Sequence, residues 1–288
     1  MVDVKGRVPE AVSQGERRKY AGSTNCIAPA SYQERRGSQI VVTNNEQRFL
    51  VAEQLRPVDI APASIVLESV RRNTAPALAV ATLAAMRESA EPILLVLPFD
   101  HVITGETAFV EAAEAAAEIA KDGYLVAFGI ASVAPHFGYG YIRAFAVDTF
   151  VEKPDKATAQ RFLGEGGYFW NSGMFMLRAS TIMEELRLYE PEIAVQAELA
   201  LDGAKLDNDF TRLDTKAFTS CPNVSIDHAV MEKTKHAAVI AATDLGWSDI
   251  GSWTTLADIP EHDAKAIHFS ATSSPKRWAT HMRARSFD

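Results

Sequence analysis

Cysteine is scarce in this sequence of 288 residues. Only Cys26 and Cys221 occur, far apart and without a cysteine or histidine at metal-ligand spacing, and the seven histidines show no zinc-binding pattern. No serine lies in a Gly-x-Ser-x-Gly turn, and neither cysteine has a recognisable histidine partner. These absences argue against a disulfide framework, a zinc site and nucleophilic catalysis by serine or cysteine. They favour a reducing, cytoplasmic compartment.

Long hydrophobic runs and an excess of positive charge are also missing. No stretch approaches the ~20 apolar residues of a membrane span, and the first residues lack the apolar core of a signal peptide. The formal net charge is −8, whereas a surface that binds nucleic acid needs excess lysine and arginine to neutralise phosphates. We therefore expect no membrane and no nucleic-acid partner. A small anionic substrate needs only a local cluster of cations.

Three regions follow from composition and periodicity. Residues 1–37 are polar and mixed in charge, without helical or strand periodicity, and are predicted to form a disordered tail. The pattern fades again after residue 258, so 259–288 are predicted to be an unpacked tail. Residues 38–258 between them have enough apolar residues for a full core and are predicted to form one α/β domain.

Strands and helices alternate through the first half of this domain. Strands are predicted at Gln39–Thr43, Ser64–Leu67, Pro92–Leu97 and Tyr124–Phe128, and helices follow from Asn44–Glu46, from Asn73 through Met86, and at Glu106–Ala120. Pro92–Leu97 is apolar throughout, as expected of a central parallel strand covered on both faces. This alternation predicts a doubly wound sheet. Ligands then lie beyond the carboxyl ends of the strands, where Asp100 falls.

The second half of the domain is less regular. Strands are predicted at Val147–Val151, Gly173–Leu177 and Ala238–Ala241, and helices at Asp155–Leu163, Ser180–Leu188, Glu192–Leu201, Asp227–Lys233 and from Gly251 to Leu256. The candidate functional residues lie at the ends of these elements and in the turns between them.

Two aspartates are candidates for metal binding. Asp100 directly follows an apolar strand, and Asp249 lies in the glycine-containing turn Gly246–Trp253. Magnesium prefers a site with one or two carboxylates and substrate phosphates. For each aspartate on its own, a helix cap or a turn residue is the simpler interpretation. The sequence leaves both interpretations open.

Glu152 and Lys153 stand side by side at the end of a strand that Pro154 stops. Successive side chains of a regular strand face opposite ways, so these two cannot both point into one site unless the strand becomes irregular. One interpretation is an ion pair on a surface edge strand. The other makes Lys153 a point charge for a phosphate.

Two segments combine aromatic residues with glycine and polar groups. In Tyr168–Phe175, Asn171 either satisfies buried backbone groups or binds sugar hydroxyls through its amide. In Gly138–Tyr141, the two glycines predict either a tight turn or a backbone surface on which a sugar can lie. Core packing is the simpler interpretation of the first segment, and a tight turn is the simpler interpretation of the second.

Eight segments, taken in order, resemble the mannose-1-phosphate guanylyltransferase family. They are Asn44–Leu50, Arg72–Pro76, Leu97–Val102, Gly138–Ile142, Phe150–Asp155, Trp170–Phe175, Ser225–Lys233 and Gly246–Trp253. Each motif is weak alone, but their order and spacing are specific, and the resemblance covers about residues 39–257. It implies a nucleotidyltransferase-like, doubly wound mixed sheet of the Rossmann-like type.

The resemblance also implies a reaction, in which GTP and mannose 1-phosphate give GDP-mannose and pyrophosphate for polysaccharide biosynthesis. The sugar-phosphate oxygen attacks the α-phosphorus of GTP in line, so catalysis rests on positioning and charge neutralisation. The implied roles are Mg²⁺ binding by Asp100 and Asp249, a phosphate contact by Lys153, mannose contacts by Glu152, Asn171 and the backbone at Tyr139 and Gly140, and nucleotide contacts by Arg72, Asn73 and Thr74. A homo-oligomer is one alternative for the assembly.

The sequence departs from the family's pattern in four places. Residues 1–37 lack the glycine-rich Gly-Gly-x-Gly-x-Arg-Leu loop and the strand before it, so we expect the first strand and the phosphate loop to be missing. Phe99 stands where the family usually has a small residue, the link from Ile142 to Phe150 is short, and the sequence does not show the further C-terminal segment with which the family continues. Two alternatives remain open, an active guanylyltransferase and a non-catalytic sugar-phosphate-binding remnant of the family.

Overall fold

The structure, a computed structural model, describes residues 39–55, 62–143 and 150–249, except for the side chain of Gln54. The two predicted tails lie outside the described residues, as does the helix predicted from Gly251. The chain divides into two compact units, Met1–Trp247 and Ser248–Asp288. Only the short strand Ser248–Asp249 of the second unit is described. Among the described residues, no helix combines the length and apolarity needed to cross a membrane.

The first unit alternates strands and helices along the chain. Its strands are β1 Ile40–Asn44, β2 Ser64–Glu68, β3 Ile93–Val96, β4 His101–Val102, β5 Leu125–Ala131, β6 Gly140–Arg143, β7 Phe150–Val151, β8 Tyr168–Arg178, β9 Lys205–Asp207, β10 Phe210–Arg212 and β11 Ala237–Ala241. Its α-helices are α1 Arg48–Leu55, α2 Thr74–Glu88, α3 Glu106–Lys121, α4 Lys156–Glu165, α5 Ala179–Tyr189, α6 Pro191–Asp202 and α7 Thr215–Ser220, and a π-helix spans Asp227–Met231. Ser248–Asp249 of the second unit is β12.

The helix termini follow from local chemistry. Asn73 caps α2, because its side chain accepts a hydrogen bond from the backbone N–H of Thr74 at 2.9 Å. Asp155 caps α4 in the same way, accepting from the N–H of Thr158 at 2.8 Å. Gly123 follows α3 with a φ of 88°, a left-handed conformation that glycine adopts without strain. These caps confirm the helix starts and stops predicted from the sequence.

Two sheets organise the first unit. The smaller has the order β1-β2-β10-β9, with β1, β2 and β10 parallel and β9 antiparallel to β10. The larger has the order β11-β5-β8-β6-β7, and β3 also pairs with β8. In the larger sheet β11 is parallel to β5, whereas β8 is antiparallel to β3, β5 and β6. The predicted mixed α/β fold is confirmed.

One strand differs from its prediction. Pro92–Leu97 was predicted to be a central parallel strand, but β3 runs antiparallel to β8, with Ile93 opposite Arg178 and Val96 opposite Phe175. Its first three residues are only half-buried. An apolar run of this length is equally compatible with either strand direction, because hydrophobicity reports burial and not the partner strand.

Both faces of the larger sheet are covered, because alternate residues of its central strands enter different cores. The odd-numbered residues Leu125, Ala127, Phe175 and Leu177 pack with the helices α2, α5 and α6. The even-numbered residues Val126, Phe128, Met174 and Met176 pack with α3. The first of these cores also contains Ile40, Val42 and Val66 of the smaller sheet. Helix α2 therefore joins the two sheets through one apolar core.

Candidate active site

Asp100 lies in the turn that follows β3, four residues after Val96. Its side chain is 12% exposed, and its Oδ1 lies 3.8 Å from Nε2 of His101, beyond hydrogen-bond distance. The indole Nε1 of Trp247 donates to Nδ1 of His101 at 3.2 Å. Because that Nδ1 accepts, the neutral ring carries its proton on Nε2, the nitrogen nearer to Asp100.

A close backbone crossing holds Trp247 beside His101. The N–H groups of Thr104 and Gly105 both donate to the carbonyl of Leu245, at 3.1 and 2.9 Å. A Cβ on Gly105 would lie 2.1 Å from the carbonyl oxygen of Asp244, and one on Gly246 would lie 1.9 Å from Oγ1 of Thr104. Both positions therefore require glycine, and the backbone crossing determines the position of Trp247.

Asp249 belongs to the second unit. It ends β12 and is half-buried. Its Oδ1 is buried and makes no hydrogen bond to any residue in the described part of the chain. A buried carboxylate oxygen without a donor is costly, and a bound cation is one way to satisfy it.

A row of aromatic rings runs from His101 to the turn before β6. The ring of Trp247 meets the rings of His101 and Tyr139 edge-on, with centroids 5.2 and 5.4 Å away. Tyr139 also contacts Trp170 at 5.4 Å and stacks on His136 at 4.1 Å. Tyr139 was predicted to contact a sugar through its backbone. The ring row fixes the position of that backbone.

Gly140 begins β6 in very close contact with two other predicted site residues. It pairs with Asn171 of β8. A Cβ at this position would lie 2.5 Å from Oε2 of Glu152 and 3.2 Å from Cβ of Asn171. The absence of a side chain lets the Glu152 carboxylate approach the β6 backbone. The structure thus brings Gly140, Glu152 and Asn171 together.

The backbone at Lys153 departs from strand geometry. Such an irregularity is the condition under which Glu152 and Lys153 can both point into one site. Strand β7 ends at Val151, and Lys153 has a φ of 46°, in the left-handed region. Its Nζ lies 2.8 Å from Oε1 of Glu152, with the lysine side chain 59% exposed and the glutamate 11%. Glu152 and Lys153 thus form the ion pair that one of the two interpretations expected, and the lysine side chain is largely exposed to solvent.

Asp227 completes this polar cluster and was not predicted as a site residue. The amide Nδ2 of Asn171 donates to Oδ1 of Asp227 at 2.8 Å, while Oδ1 of Asn171 accepts from the N–H of Gly173 at 3.0 Å. Desolvation, and then the negative charge of Glu152, raise the pKa of Asp227 to about 6. Its signals in the sequence are its position at the start of a predicted short helix and its place in the Ser225–Lys233 segment of the family resemblance.

The predicted nucleotide-binding residues lie where β2 connects to α2. The guanidinium of Arg72 donates to the carbonyl of Thr219. Asn73 has a φ of 68° and is exposed. Oγ1 of Thr74 accepts from the N–H of Ile226 at 2.6 Å, one residue before Asp227. The start of α2 is therefore tied directly to the segment that carries the polar cluster.

The cysteine within the described residues has no catalytic environment. Cys221 is a buried free thiol, and burial raises its pKa to about 11. The thiolate is the nucleophilic form, so Cys221 does not act as a nucleophile near neutral pH. This agrees with the exclusion drawn from the sequence.

These contacts define three groups of site residues. Gly140, Glu152, Lys153 and Asn171 form one cluster with Asp227, which offers acceptors for hydroxyl groups and a cation for a phosphate. Asp100 lies beside His101 at one end of the aromatic row, and Tyr139 lies within the row. Of the residues Arg72, Asn73 and Thr74, Thr74 connects to the cluster, through its hydrogen bond with Ile226. Such an arrangement can bind a phosphorylated polyhydroxyl compound.

A mixed α/β sheet with a polar cluster beside β6, β7 and β8 defines a Rossmann-like protein with a candidate ligand site. The chain belongs to the nucleotidyl transferase family, which residues 28–266 match.

Several curated proteins are similar to this chain. The xanthan biosynthesis protein XanB of Xanthomonas campestris is 54% identical over 232 residues, which are 78% of this chain and 50% of XanB. A mannose-1-phosphate guanylyltransferase of Escherichia coli is 47% identical over 242 residues, covering 79% of this chain and 50% of that protein. The chain spans about half the length of the curated relatives it matches.

Two solved structures share the fold. A protein of Helicobacter pylori described as a mannose-6-phosphate isomerase superposes with a TM-score of 0.72 at 28% identity, covering 80% of this chain and 90% of that one. A protein of Thermus thermophilus described as a mannose-1-phosphate geranyltransferase gives a TM-score of 0.64 at 31% identity, covering 76% and 62%.

Proposed function

We propose that the chain is the nucleotidyltransferase part of a mannose-1-phosphate guanylyltransferase, which converts GTP and mannose 1-phosphate to GDP-mannose and pyrophosphate. The observation that carries the proposal is the cluster of Gly140, Glu152, Lys153, Asn171 and Asp227. It combines acceptors for sugar hydroxyls with one accessible ammonium. The relatives that bear this enzyme's name support the same assignment.

In this proposal Glu152 and Asn171 bind the mannose hydroxyls, and the sugar lies on the backbone of Tyr139 and Gly140. Lys153 binds the phosphate of the sugar, for which it must exchange part of its contact with Glu152. A negative phosphate next to Glu152 would be repelled, so the lysine also neutralises that repulsion. Because the ammonium is already beside the sugar site, little reorganisation is needed.

The nucleotide is proposed to bind near Arg72, Asn73 and Thr74. Asn73 presents its exposed side chain at the N-terminus of α2, where the helix dipole favours negative charge. The sugar-phosphate oxygen then forms a bond to the α-phosphorus of GTP. The bond between that phosphorus and the oxygen bridging to the β-phosphate breaks, and pyrophosphate leaves with the electron pair.

Asp100 and Asp249 are proposed to hold Mg²⁺. The donor set fits this ion, because both are carboxylates and Oδ1 of Asp249 is buried without a hydrogen-bond partner among the described residues. A bound magnesium ion would neutralise charge on the reacting phosphates. In this arrangement Asp100 and Asp249 supply oxygen ligands, and they do not exchange protons with the substrates.

The proposal includes a cytoplasmic location and a homo-oligomeric assembly. The buried free thiol of Cys221 is consistent with a reducing compartment. Exposed apolar side chains on the neighbouring helices α5 and α6, namely Leu188, Val195 and Leu199, are consistent with a contact between copies. Light scattering of the purified protein measures the assembly. A mass of one chain at all concentrations would refute that part of the proposal.

The test of the reaction mixes purified protein with GTP, mannose 1-phosphate and Mg²⁺, and measures GDP-mannose and pyrophosphate. We expect the wild-type protein to turn over these substrates. Asp100→Asn should lower the rate by about 100-fold or more, because removal of one group that stabilises transition-state charge typically lowers the rate by that factor. The exposed Asp209→Asn serves as the matched control. Binding of mannose 1-phosphate without turnover would instead support a non-catalytic sugar-phosphate-binding protein. No binding of either substrate would refute both functions.

A further inference from the structure

His136 holds the turn before β6 by its side chain and its backbone. Its Nδ1 accepts a hydrogen bond from the N–H of Gly138 at 3.2 Å, and its own N–H donates to the hydroxyl of Tyr141 at 2.9 Å. An acceptor that bonds the backbone two residues ahead fixes a turn in the way that asparagine and aspartate side chains do. His136 supplies this contact with a ring nitrogen.

The ring of His136 makes a second kind of contact with the same turn. It stacks on Tyr139 with centroids 4.1 Å apart and planes 17° apart, and it meets Trp170 nearly edge-on at 6.1 Å. Trp170 belongs to β8, so the ring joins the turn to the larger sheet. The imidazole is therefore bonded to the turn's backbone at Gly138 and packed against its side chain at Tyr139.

The turn cannot move without disturbing the polar cluster. Gly140 directly follows Tyr139 and lies against Glu152, where even a methyl group would come within 2.5 Å of the carboxylate. A rotation of the Tyr139–Gly140 peptide therefore changes both the backbone offered to a ligand and the space that Glu152 occupies. Whatever fixes the turn also fixes these two features.

We propose that His136 is a positioning residue, which holds the Gly138–Gly140 turn in the conformation that binds the sugar of mannose 1-phosphate. This inference rests on the proposed function, and it assigns the role to a side chain that does not itself touch the sugar. Neither contact alone is sufficient, because the hydrogen bond fixes Gly138 and the stacking fixes Tyr139. Histidine combines both in one side chain.

Three variants separate the two contacts. His136→Asn keeps an acceptor for the Gly138 N–H but removes the ring, His136→Phe keeps the ring but removes the acceptor, and His136→Ala removes both. Val133→Ala, at a side chain 79% exposed in the same loop, is the matched control. The readouts are the dissociation constant of mannose 1-phosphate by calorimetry, the urea midpoint, and the amide resonance of Gly138 in protein labelled with ¹⁵N-glycine.

We expect His136→Ala to raise the dissociation constant by about tenfold, and the Asn and Phe variants by about threefold each. A hydrogen bond and a pair of stacked aromatic rings contribute similar free energies. The urea midpoint should stay within error of wild type, since the loop is exposed. The Gly138 amide resonance should move in the Phe and Ala variants and stay near its wild-type position in the Asn variant. Val133→Ala should change none of these.

Each other result overturns the proposal. Wild-type protein that does not bind mannose 1-phosphate refutes the proposed function and this inference with it. Wild-type binding that survives His136→Ala unchanged refutes the inference alone. If the affinity of His136→Ala falls only together with its urea midpoint, His136 has a structural role and the proposal is refuted. The Asn and Phe variants are milder changes, so they allow affinity and urea midpoint to be compared in protein that is still folded.

Discussion

At the scale of single residues, the position of the Glu152 carboxylate depends on the absence of a side chain at Gly140. Gly140→Ala would place a methyl group 2.5 Å from Oε2 of Glu152, so the carboxylate must move away from the proposed sugar site. We expect the dissociation constant of mannose 1-phosphate to rise about tenfold, which corresponds to roughly 1.4 kcal/mol. Calorimetric titration of the variant measures this change.

Gly164→Ala provides the control for that experiment. Gly164 lies in α4 with nothing within 4 Å of an added Cβ, so alanine fits there and should stabilise the helix by about 0.5 kcal/mol. Its affinity for mannose 1-phosphate should equal that of wild type. An unchanged affinity in Gly140→Ala would show that Glu152 can move without affecting the ligand.

Asp227 should make the stability of the protein depend on pH. Its pKa rises from 3.8 to about 6 on folding, because desolvation and the charge of Glu152 disfavour the ionised form. Between pH 4 and 6 the unfolded chain therefore loses this proton while the folded chain keeps it, so the free energy of unfolding falls as pH rises. The stabilisation is complete below pH 4 and lost above pH 6. Its size is roughly 3 kcal/mol.

Asp227→Asn removes this titration and keeps an acceptor for the amide of Asn171. Relative to wild type, the variant should gain stability between pH 4 and 7, as measured by urea unfolding at several pH values. Glu198→Gln, at an exposed position of α6, is the control and should show a constant difference from wild type. A constant difference for Asp227→Asn as well would contradict the assigned pKa.

Sequence patterns predict the separate members of the site more readily than their contacts. Asp100, Glu152, Lys153 and Asn171 are recognisable because they stand beside strand and turn signals. Asp227 is not, because its defining partner Asn171 is 56 residues away in the chain. A hydrogen bond between distant side chains is created by the sheet and leaves no local periodicity.

At the scale of elements, the cap of α7 offers a direct test. Oδ1 of Asp214 accepts from the N–H of Ala217 at 2.9 Å and so satisfies one donor of the first turn. Asp214→Ala should lower the free energy of unfolding by about 1 kcal/mol. Asp214→Asn retains an acceptor and should cost less than about half of that. Equal losses in the two variants would mean that the cap is not what stabilises this helix.

Element prediction succeeded where periodicity was long and failed where elements were short. The helices α2, α3, α5 and α6 follow the predicted ranges closely. Strand β8 is longer than the predicted Gly173–Leu177, because Asn171 looks like a turn residue but pairs with Gly129 of β5 and Gly140 of β6. Strands β9 and β10, with three residues each, were missed. Their geometry comes from pairing with each other and with β2.

At the scale of the whole molecule, the core around α2 should make the two sheets unfold together. Leu78 is 1% exposed and belongs to the cluster that contains residues of both sheets. Leu78→Ala should lower the free energy of unfolding by about 2–5 kcal/mol. Hydrogen exchange should show the same loss of protection for β1 and for β5, which lie in different sheets.

Leu206→Ala is the comparison for Leu78→Ala. Leu206 is 81% exposed on β9, so its truncation should change stability by less than about 0.5 kcal/mol. If Leu78→Ala weakened protection in only one sheet, the two sheets would be independent folding units. A common core is the physical reason to expect a single transition.

The aromatic row also gives the protein an optical reporter of its own site. Trp247 lies between His101 and Tyr139, and Trp170 touches the same tyrosine from β8. Indole emission responds to neighbouring rings and to the polarity around them, so these two tryptophans report from both sides of the turn at Gly138–Gly140. Ligand arrival at that turn is therefore measurable as a change in intrinsic fluorescence, without any label.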